Sequence, residues 1–193
     1  IGIETKFLNN RMGLDITYYS QKSKNQIMGM ASSWTSGYTY RLINAGEIDN
    51  KGLEIALNTR PIQTKDFSWD LNLNFSKNSN KVKRLVDDMD MFELEKASWL
   101  DVQVAAKVGE NFGSIVGPDF KRNDAGQILI NPSTGLPEYD KSNHVLGNAS
   151  WKWTGGVTTT LTYKNLSLNA IFDVKVGADL YSMSARASYE SGK

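Results

Sequence analysis

The chain has 193 residues, and its 22 Lys plus Arg against 21 Asp plus Glu leave a formal net charge of +1. This balance offers no electrostatic reason to expect a nucleic-acid partner. The chain contains no cysteine, which excludes disulfides and thiolate metal sites, and its single histidine, His144, excludes metal motifs that need two. No stretch reaches the roughly 18 consecutive apolar residues of a membrane-spanning helix.

Apolar and polar residues alternate along much of the chain, which is the period of a β-strand with two different faces. In Phe67–Ser76 every odd position is apolar or aromatic, and every even position is Ser, Asp or Asn. The alternation predicts an all-β chain, an antiparallel meander of about six strands. The candidate strands, in chain order, are Ile1–Phe7, Arg11–Ser20, Leu53–Asn58, Phe67–Ser76, Val157–Tyr163 and Leu166–Val176.

The connections between these strands are alternately short and long. Short, turn-rich connections at Asn9-Asn10, Pro61–Asp66 and Lys164-Asn165 predict antiparallel hairpins. The long connections are residues 21–44 and 80–155. Such a meander places all tight turns at one end of the sheet and all long loops at the other, as transmembrane β-barrels do.

Two fold interpretations remain open on this pattern. A soluble β-sandwich, such as a carbohydrate-binding module, also alternates, because each of its sheets buries one face. The short-long rhythm, the aromatic residues near strand ends and strands of ten or eleven residues favour the barrel, since a tilted strand needs about 9–11 residues to cross the hydrocarbon layer. A third class, a glycan-processing enzyme, would require a pair of carboxylates, which have no short sequence signature.

The long connections contain the candidate ligand-contacting residues. Trp34, Tyr38 and Tyr40 lie among Ser, Gly and Thr residues, where aromatic rings either stack on a sugar or peptide or pin the loop to its neighbours. In the second connection, apolar residues at helical spacing predict a short helix within Arg84–Ala97. The acidic residues there do not have the spacing of a calcium-binding loop, so we expect a solvated face and no metal site.

Catalytic motifs are missing from the sequence. His144 is not accompanied by a G-x-S-x-G element, and the glycines around Gly113–Gly117 have no lysine of a phosphate-binding loop. We therefore identify no catalytic residues.

Longer motifs in a fixed order give the chain a family resemblance. It resembles part of the barrel of a SusC/RagA-type TonB-dependent outer-membrane transporter of Bacteroidetes, with N-A-G-x-I-x-N-K-G-x-E as the most specific motif. The matching stretches are Asn9–Ile27, Asn44–Thr59, Phe67–Leu85, Gly109–Gly117, Asn131–Pro137 and Gly155–Leu168. Two positions depart from the family pattern: Trp151-Lys152-Trp153 stands where Pro-Asp-Trp is usual, and Gly177-Ala178 replaces a glycine pair.

The resemblance implies an active transporter in the outer membrane of a Gram-negative cell rather than an enzyme. It implies a 22-stranded transmembrane barrel, extracellular loops at residues 21–44 and 80–155, and a plug domain that contacts TonB and is not in this chain. It further implies uptake of oligosaccharides or peptides with a SusD-like surface lipoprotein, and no cofactor. Residues 1–193 would then be a partial barrel, because open strand edges in hydrocarbon leave backbone groups unpaired at several kcal/mol each.

The barrel interpretation predicts that the odd positions of Phe67–Ser76 face lipid. Leu71→Lys or Leu73→Lys should destabilise the full-length protein in bilayers by about 2–4 kcal/mol if the site is near the midplane. Unfolding titrations in lipid vesicles measure this, with Asn72→Lys and Asn74→Lys as controls. Equal tolerance at all four positions would contradict the assignment of the lipid face.

Overall fold

The structure, a computed structural model, describes residues 1–25, 27–31, 37–38, 40–44, 46–86, 89–96 and 101–192. Within these residues the chain forms mostly antiparallel strands and one short helix. The strands are β1 (Gly2–Phe7), β2 (Met12–Lys24), β3 (Ile27–Ala31), β4 (Tyr40–Asn44), β5 (Gly46–Gln63), β6 (Phe67–Leu85), β7 (Met91–Lys96), β8 (Gln103–Lys107), β9 (Ser114–Phe120), β10 (Tyr139–Asn148), β11 (Trp153–Tyr163) and β12 (Leu166–Val176), and the helix is α1 (Met183–Glu190).

The largest sheet has six strands in the order β1-β2-β5-β6-β11-β12, all antiparallel to their neighbours. These are the six strands that the alternation predicts, and the predicted meander is confirmed. Three short turns join them in pairs. Two of these turns use left-handed residues, with φ of 57° at Asn9, 62° at Asn10 and 53° at Lys164. Asparagine tolerates this conformation better than most residues, which explains the Asn-Asn turn.

The strands next to the long connections are longer than the sequence pattern predicts. β5 has 18 residues and β6 has 19, whereas about 9–11 cross a bilayer. Both strands therefore continue well beyond a membrane-sized segment at the end away from the short turns. The two long connections also contain strands: β3 and β4 pair as a hairpin, and β10-β9-β8-β7 form a four-stranded sheet.

The short helix predicted within Arg84–Ala97 is wrong. β6 runs to Leu85, and Met91–Lys96 is strand β7, paired with β8. The apolar spacing has another cause: Leu85 and Phe92, on two different strands, are buried in one core. Among the described residues, no helix is long and apolar enough to cross a lipid bilayer.

The buried core lies where the far end of β6 meets β7 and β8. Val82, Leu85, Phe92 and Ala106 are buried together, and partly buried side chains pack around them, namely Met89, Leu94, Val108 and Phe112. Backbone hydrogen bonds from Val82 N to Glu110 O and from Phe112 N to Asn80 O join β6 to the turn after β8. These contacts make the extended end of β6 the support of the four-stranded sheet.

The six-stranded sheet has one apolar face and one polar face. Residues paired across neighbouring strands lie on the same face. One apolar row contains Leu14, Leu57, Leu73, Val157 and Phe172. The adjacent row on the other face contains Gly13, Asn58, Asn72, Thr158 and Ile171.

The apolar face is open over much of its area. On β12, Leu168 is 63% exposed and Phe172 is 59% exposed. The 11 residues of β11 span roughly 25–28 Å along a membrane normal at a strand tilt near 40°, which matches the apolar band of a membrane barrel. Aromatic residues mark both edges of this band: Trp153 packs on Phe75 at one edge, with ring centroids 5.8 Å apart, and Tyr163 lies at the other. The dimensions and exposure fit a lipid-facing surface.

The core at the end of β6 should determine the local stability of the four-stranded sheet. Phe92→Ala should destabilise this region by about 3–5 kcal/mol, because it leaves a cavity where β6, β7 and β8 meet. Hydrogen exchange of the full-length protein should then show faster exchange in β7–β9 and unchanged exchange in the hairpin of β1 and β2. Glu93→Ala, at an exposed position of the same strand, is the control; equal acceleration by both changes would contradict the role of the core.

Candidate functional site

The polar side chains of the six-stranded sheet form one continuous surface, which we call the polar face. Along β6 it presents Asn72 and Asn74, and along β11 it presents Thr158 and Thr160. Asn169 Nδ2 donates a hydrogen bond of 2.7 Å to Thr160 Oγ1. Amides and hydroxyls that both donate and accept hydrogen bonds dominate this part of the surface, which suits it to contact polar, hydrated molecules.

A concavity of about 610 Å³ lies on the polar face at the end of the short turns. Arg60 Nε donates to Asp70 Oδ1 at 2.6 Å, and this ion pair joins β5 to β6 inside the concavity. Arg11 Nη2 also donates to Pro61 O at 3.2 Å, which connects two of the short turns. The charged residues that line the concavity have both signs: Glu4, Lys6, Arg11, Asp15, Arg60 and Asp70.

At two positions of the N-A-G-x-I-x-N-K-G-x-E motif, the structure explains why the residue is glycine. Gly46 has a φ of +129°, and a Cβ there would overlap the carbonyl oxygen of Arg84 on the paired strand. Gly52 lies opposite Tyr19 in the register, and a Cβ there would overlap the tyrosine ring. The aromatic ring covers the glycine on the polar face, an arrangement that compensates for the missing side chain.

The two departures from the family pattern come together in the structure. Gly177 has a φ of +89°, which favours glycine, and the side chain of Lys152 packs where a Cβ of Gly177 would be. Lys152 N also donates to Val176 O at 2.8 Å. The lysine of Trp151-Lys152-Trp153 therefore covers the one glycine that remains of the usual pair.

The candidate ligand-contacting residues are on the connection between β2 and β5. Tyr38 is 73% exposed. Tyr40 begins β4, and Trp34 lies outside the described residues. A ligand site formed by these three aromatic residues stays a prediction.

A polar cluster that the sequence analysis missed lies on β10. Asp140, Ser142 and His144 are spaced by two residues, and this spacing is the signal in the sequence, because it places side chains on one face of a strand. The hydroxyl of Ser142 lies 2.9 Å from His144 Nε2, and the same nitrogen lies 3.0 Å from Asp140 Oδ2. A Ser-His-Asp triad uses both ring nitrogens, one for each partner. Here serine and aspartate share one nitrogen, so the cluster lacks the geometry of a nucleophilic site.

Asp140 has the clearest electrostatic perturbation in this cluster. Hydrogen bonds from the backbone N–H and the hydroxyl of Ser142, and the contact with His144, lower the pKa of Asp140 from 3.8 to about 2. A lowered pKa means that the ionised carboxylate stabilises the folded strand above pH 3.8 and that this contribution is lost as the pH falls toward 2. At neutral pH the carboxylate holds the irregular segment where the pairing of β10 with β9 shifts register.

The fold and its two faces define a class of protein. An antiparallel meander with an open apolar face of membrane dimensions, a polar opposite face and tight turns at one end is the wall of an outer-membrane β-barrel. A soluble β-sandwich would cover the apolar face of its sheet with a second sheet.

Comparison with known proteins specifies the family. The family model described as TonB dependent receptor-like, beta-barrel, matches residues 1–189. The TonB-dependent receptor SusC of Bacteroides thetaiotaomicron is 32% identical over 203 residues, covering 97% of this chain and 20% of that protein. TonB-dependent receptor P3 of Formosa agariphila is 28% identical over 201 residues, covering 93% of this chain and 20% of that protein.

A solved structure with the same fold is the RagAB peptide transporter. It superposes with a TM-score of 0.71 at 19% identity, covering 91% of this chain and 20% of that one. The chain belongs to the TonB-dependent receptor β-barrel family and is of the SusC/RagA type, as its motifs predict. It spans about a fifth of the length of the relatives it matches.

The contact between Tyr19 and Gly52 can be tested by a double-mutant cycle. Gly52→Ala should destabilise the full-length protein by about 1–3 kcal/mol because the new methyl group overlaps the ring. In a Tyr19→Ala background the same change should cost less than half as much, and unfolding titrations give the coupling energy. Gly13→Ala is the control, since a Cβ there meets its nearest neighbours at 3.9 Å; additive costs would contradict the contact.

Proposed function

We propose that this chain is a wall segment of a transporter that takes up oligosaccharides or peptides across the outer membrane of a Gram-negative cell, using energy delivered by TonB. The observation that carries the proposal is the sheet with one lipid-like and one polar face, in a chain of the TonB-dependent receptor family. The activity is transport and not catalysis. The polar face then lines the lumen, and the apolar face contacts lipid.

The orientation of the segment follows from its two ends. The short turns are at the periplasmic end, and the long connections are extracellular, as in bacterial barrels generally. The concavity with the Arg60–Asp70 pair is then at the periplasmic end of the lumen, where charges of both signs offer complementary partners to the plug domain. A SusD-like lipoprotein covers the extracellular side, which carries the four-stranded sheet and the hairpin of β3 and β4.

The proposed substrates are oligosaccharides or peptides. The RagAB neighbour is a peptide transporter, and its 19% identity to this chain supports a shared fold. The amides and hydroxyls of the polar face can hydrogen-bond to sugar hydroxyls and to peptide groups alike.

Growth of a bacterium that carries the full-length gene tests the function. Deletion of the gene should abolish growth on one class of polymer, either an oligosaccharide or a peptide mixture, and leave growth on the monomers unchanged. Loss of TonB should have the same effect, and the SusD-like lipoprotein should co-purify with the tagged full-length protein. Uptake that persists without TonB would contradict the proposal.

The aromatic residues of the first long connection, Trp34, Tyr38 and Tyr40, are the proposed ligand contacts. Tyr38→Ala should weaken binding of the transported polymer by about threefold to tenfold, because it removes one stacking surface. Isothermal titration with the purified full-length protein measures this change. Tyr163→Ala, an exposed tyrosine at the opposite end of the sheet, is the control; equal affinities of the two variants would exclude Tyr38 as a contact.

A further inference from the structure

The apolar face of the sheet continues as a polar, charged surface where β2, β5 and β6 extend past the edge of the apolar band. Tyr18 on β2 pairs with Leu53 on β5, and Leu53 pairs with Lys77 on β6, so this cross-strand row is the last one on this face with apolar residues. Beyond them the same face presents mostly cations, which we call the basic belt. Its members are Lys22, Lys24, Lys51, Lys77, Lys81, Lys83 and Arg84.

The register places the members of the belt side by side. Lys22 and Lys81 lie on either side of Asp49, one on β2 and the other on β6. With strands about 4.8 Å apart, their Cα atoms are roughly 10 Å apart, within the reach of two lysine side chains that converge on one anion. Lys51 lies in the row next to the apolar band.

The belt has a clear excess of positive charge. Its side chains are exposed, and the acidic residues of the described strands on the same face are Glu47 and Asp49. Asp49 is turned away from solvent, with 13% of its side chain exposed, and its contact with Lys83 is long, at 3.8 Å. Because seven cations face only these two carboxylates, the belt keeps a net positive charge.

Beyond the row that pairs Glu54 with Ser76, the opposite face of the same three strands is uncharged. Its residues there are Tyr19, Gln21, Ser23, Ile48, Asn50, Gly52, Asn78, Asn80 and Val82. If the lysines served only general solubility, they would be expected on both faces of these strands. The charge follows the side that is continuous with the lipid-facing band, which points to a partner at the membrane surface.

Among the residues that the structure describes, the other edge of the apolar band has no comparable cluster. Near the short turns, Lys65 is followed by Asp66, and the ammonium of Lys164 lies 5.4 Å from the ring centroid of Tyr163. The asymmetry distinguishes the two leaflets that the barrel contacts.

We propose that the basic belt binds the phosphate groups of anionic lipids in the extracellular leaflet of the outer membrane. Lysine is a common phosphate ligand that acts as a point charge. Basic clusters beside a membrane-spanning segment are attracted to an anionic membrane surface. The inference rests on the proposed membrane orientation and adds a specific lipid site to it. The site would hold the long ends of β5 and β6, and the sheet that they support, against the membrane surface.

Native mass spectrometry of the full-length protein tests the site. The protein in detergent is mixed with equal amounts of phosphatidic acid and phosphatidylcholine, and the bound lipids are counted. The unmodified protein should retain phosphatidic acid with at least about tenfold preference, and a variant with Lys22→Gln, Lys51→Gln, Lys77→Gln and Lys81→Gln should fall to within about twofold.

The control removes four exposed lysines outside the belt, by Lys65→Gln, Lys121→Gln, Lys141→Gln and Lys164→Gln, and should retain the preference. Heat-modifiable migration on gels shows that each variant is folded. Equal loss of preference in both variants would overturn the site, and so would displacement of the lipid by inorganic phosphate, which would indicate a site for free anions. Fractionation of the unmodified protein tests its outer-membrane location separately, so a failed lipid site with correct location overturns this inference alone.

Discussion

The two-residue period of the hydrogen-bonded strand is the constraint on which the rest of this structure depends. Each pair of neighbouring strands places its paired residues on one face, so a single alternating sequence separates two environments across the thickness of one sheet. The row through Leu73 and the row through Asn72 run across neighbouring strands without changing sides. A slip of one residue in β6 would move Leu73 from the apolar face to the polar face, and this makes the register strongly specified.

The same period continues beyond the membrane-sized segment, where it serves a different purpose. On β6, the even side that carries Asn72 and Asn74 reaches Val82, which is buried against Phe92 and Ala106. Beyond the end of β11, the polar side of β6 thus becomes one wall of a small core, and the four-stranded sheet is anchored there. The outward side becomes basic at the same height. The first part of β6 therefore separates an apolar from a polar face, and its second part separates a basic surface from a buried core.

Small residues make the polar face possible in places where larger side chains would collide. Gly52 leaves space for the ring of Tyr19, and Gly177 leaves space for the side chain of Lys152. Both contacts cross from one chain segment to another, so neither could be recognised from spacing alone. They explain why glycines of the family motifs are found within or directly after strands, where glycine is otherwise unfavourable.

The sequence by itself determined the six strands of the large sheet, their short hairpins and the two chemical faces, because alternation and turn residues are local signals. It also identified the family from ordered motifs. Tertiary structure alone decided the rest: Met91–Lys96 is strand β7, paired with β8, and its Phe92 shares a core with Val82 of β6 and Ala106 of β8. Trp34, Tyr38 and Tyr40 are candidate ligand contacts from their place in the first long connection, and a site that they share stays a prediction. The alignment of Lys22 beside Lys81 depends on the pairing of β2, β5 and β6, because cross-strand register is a non-local property that no local pattern specifies.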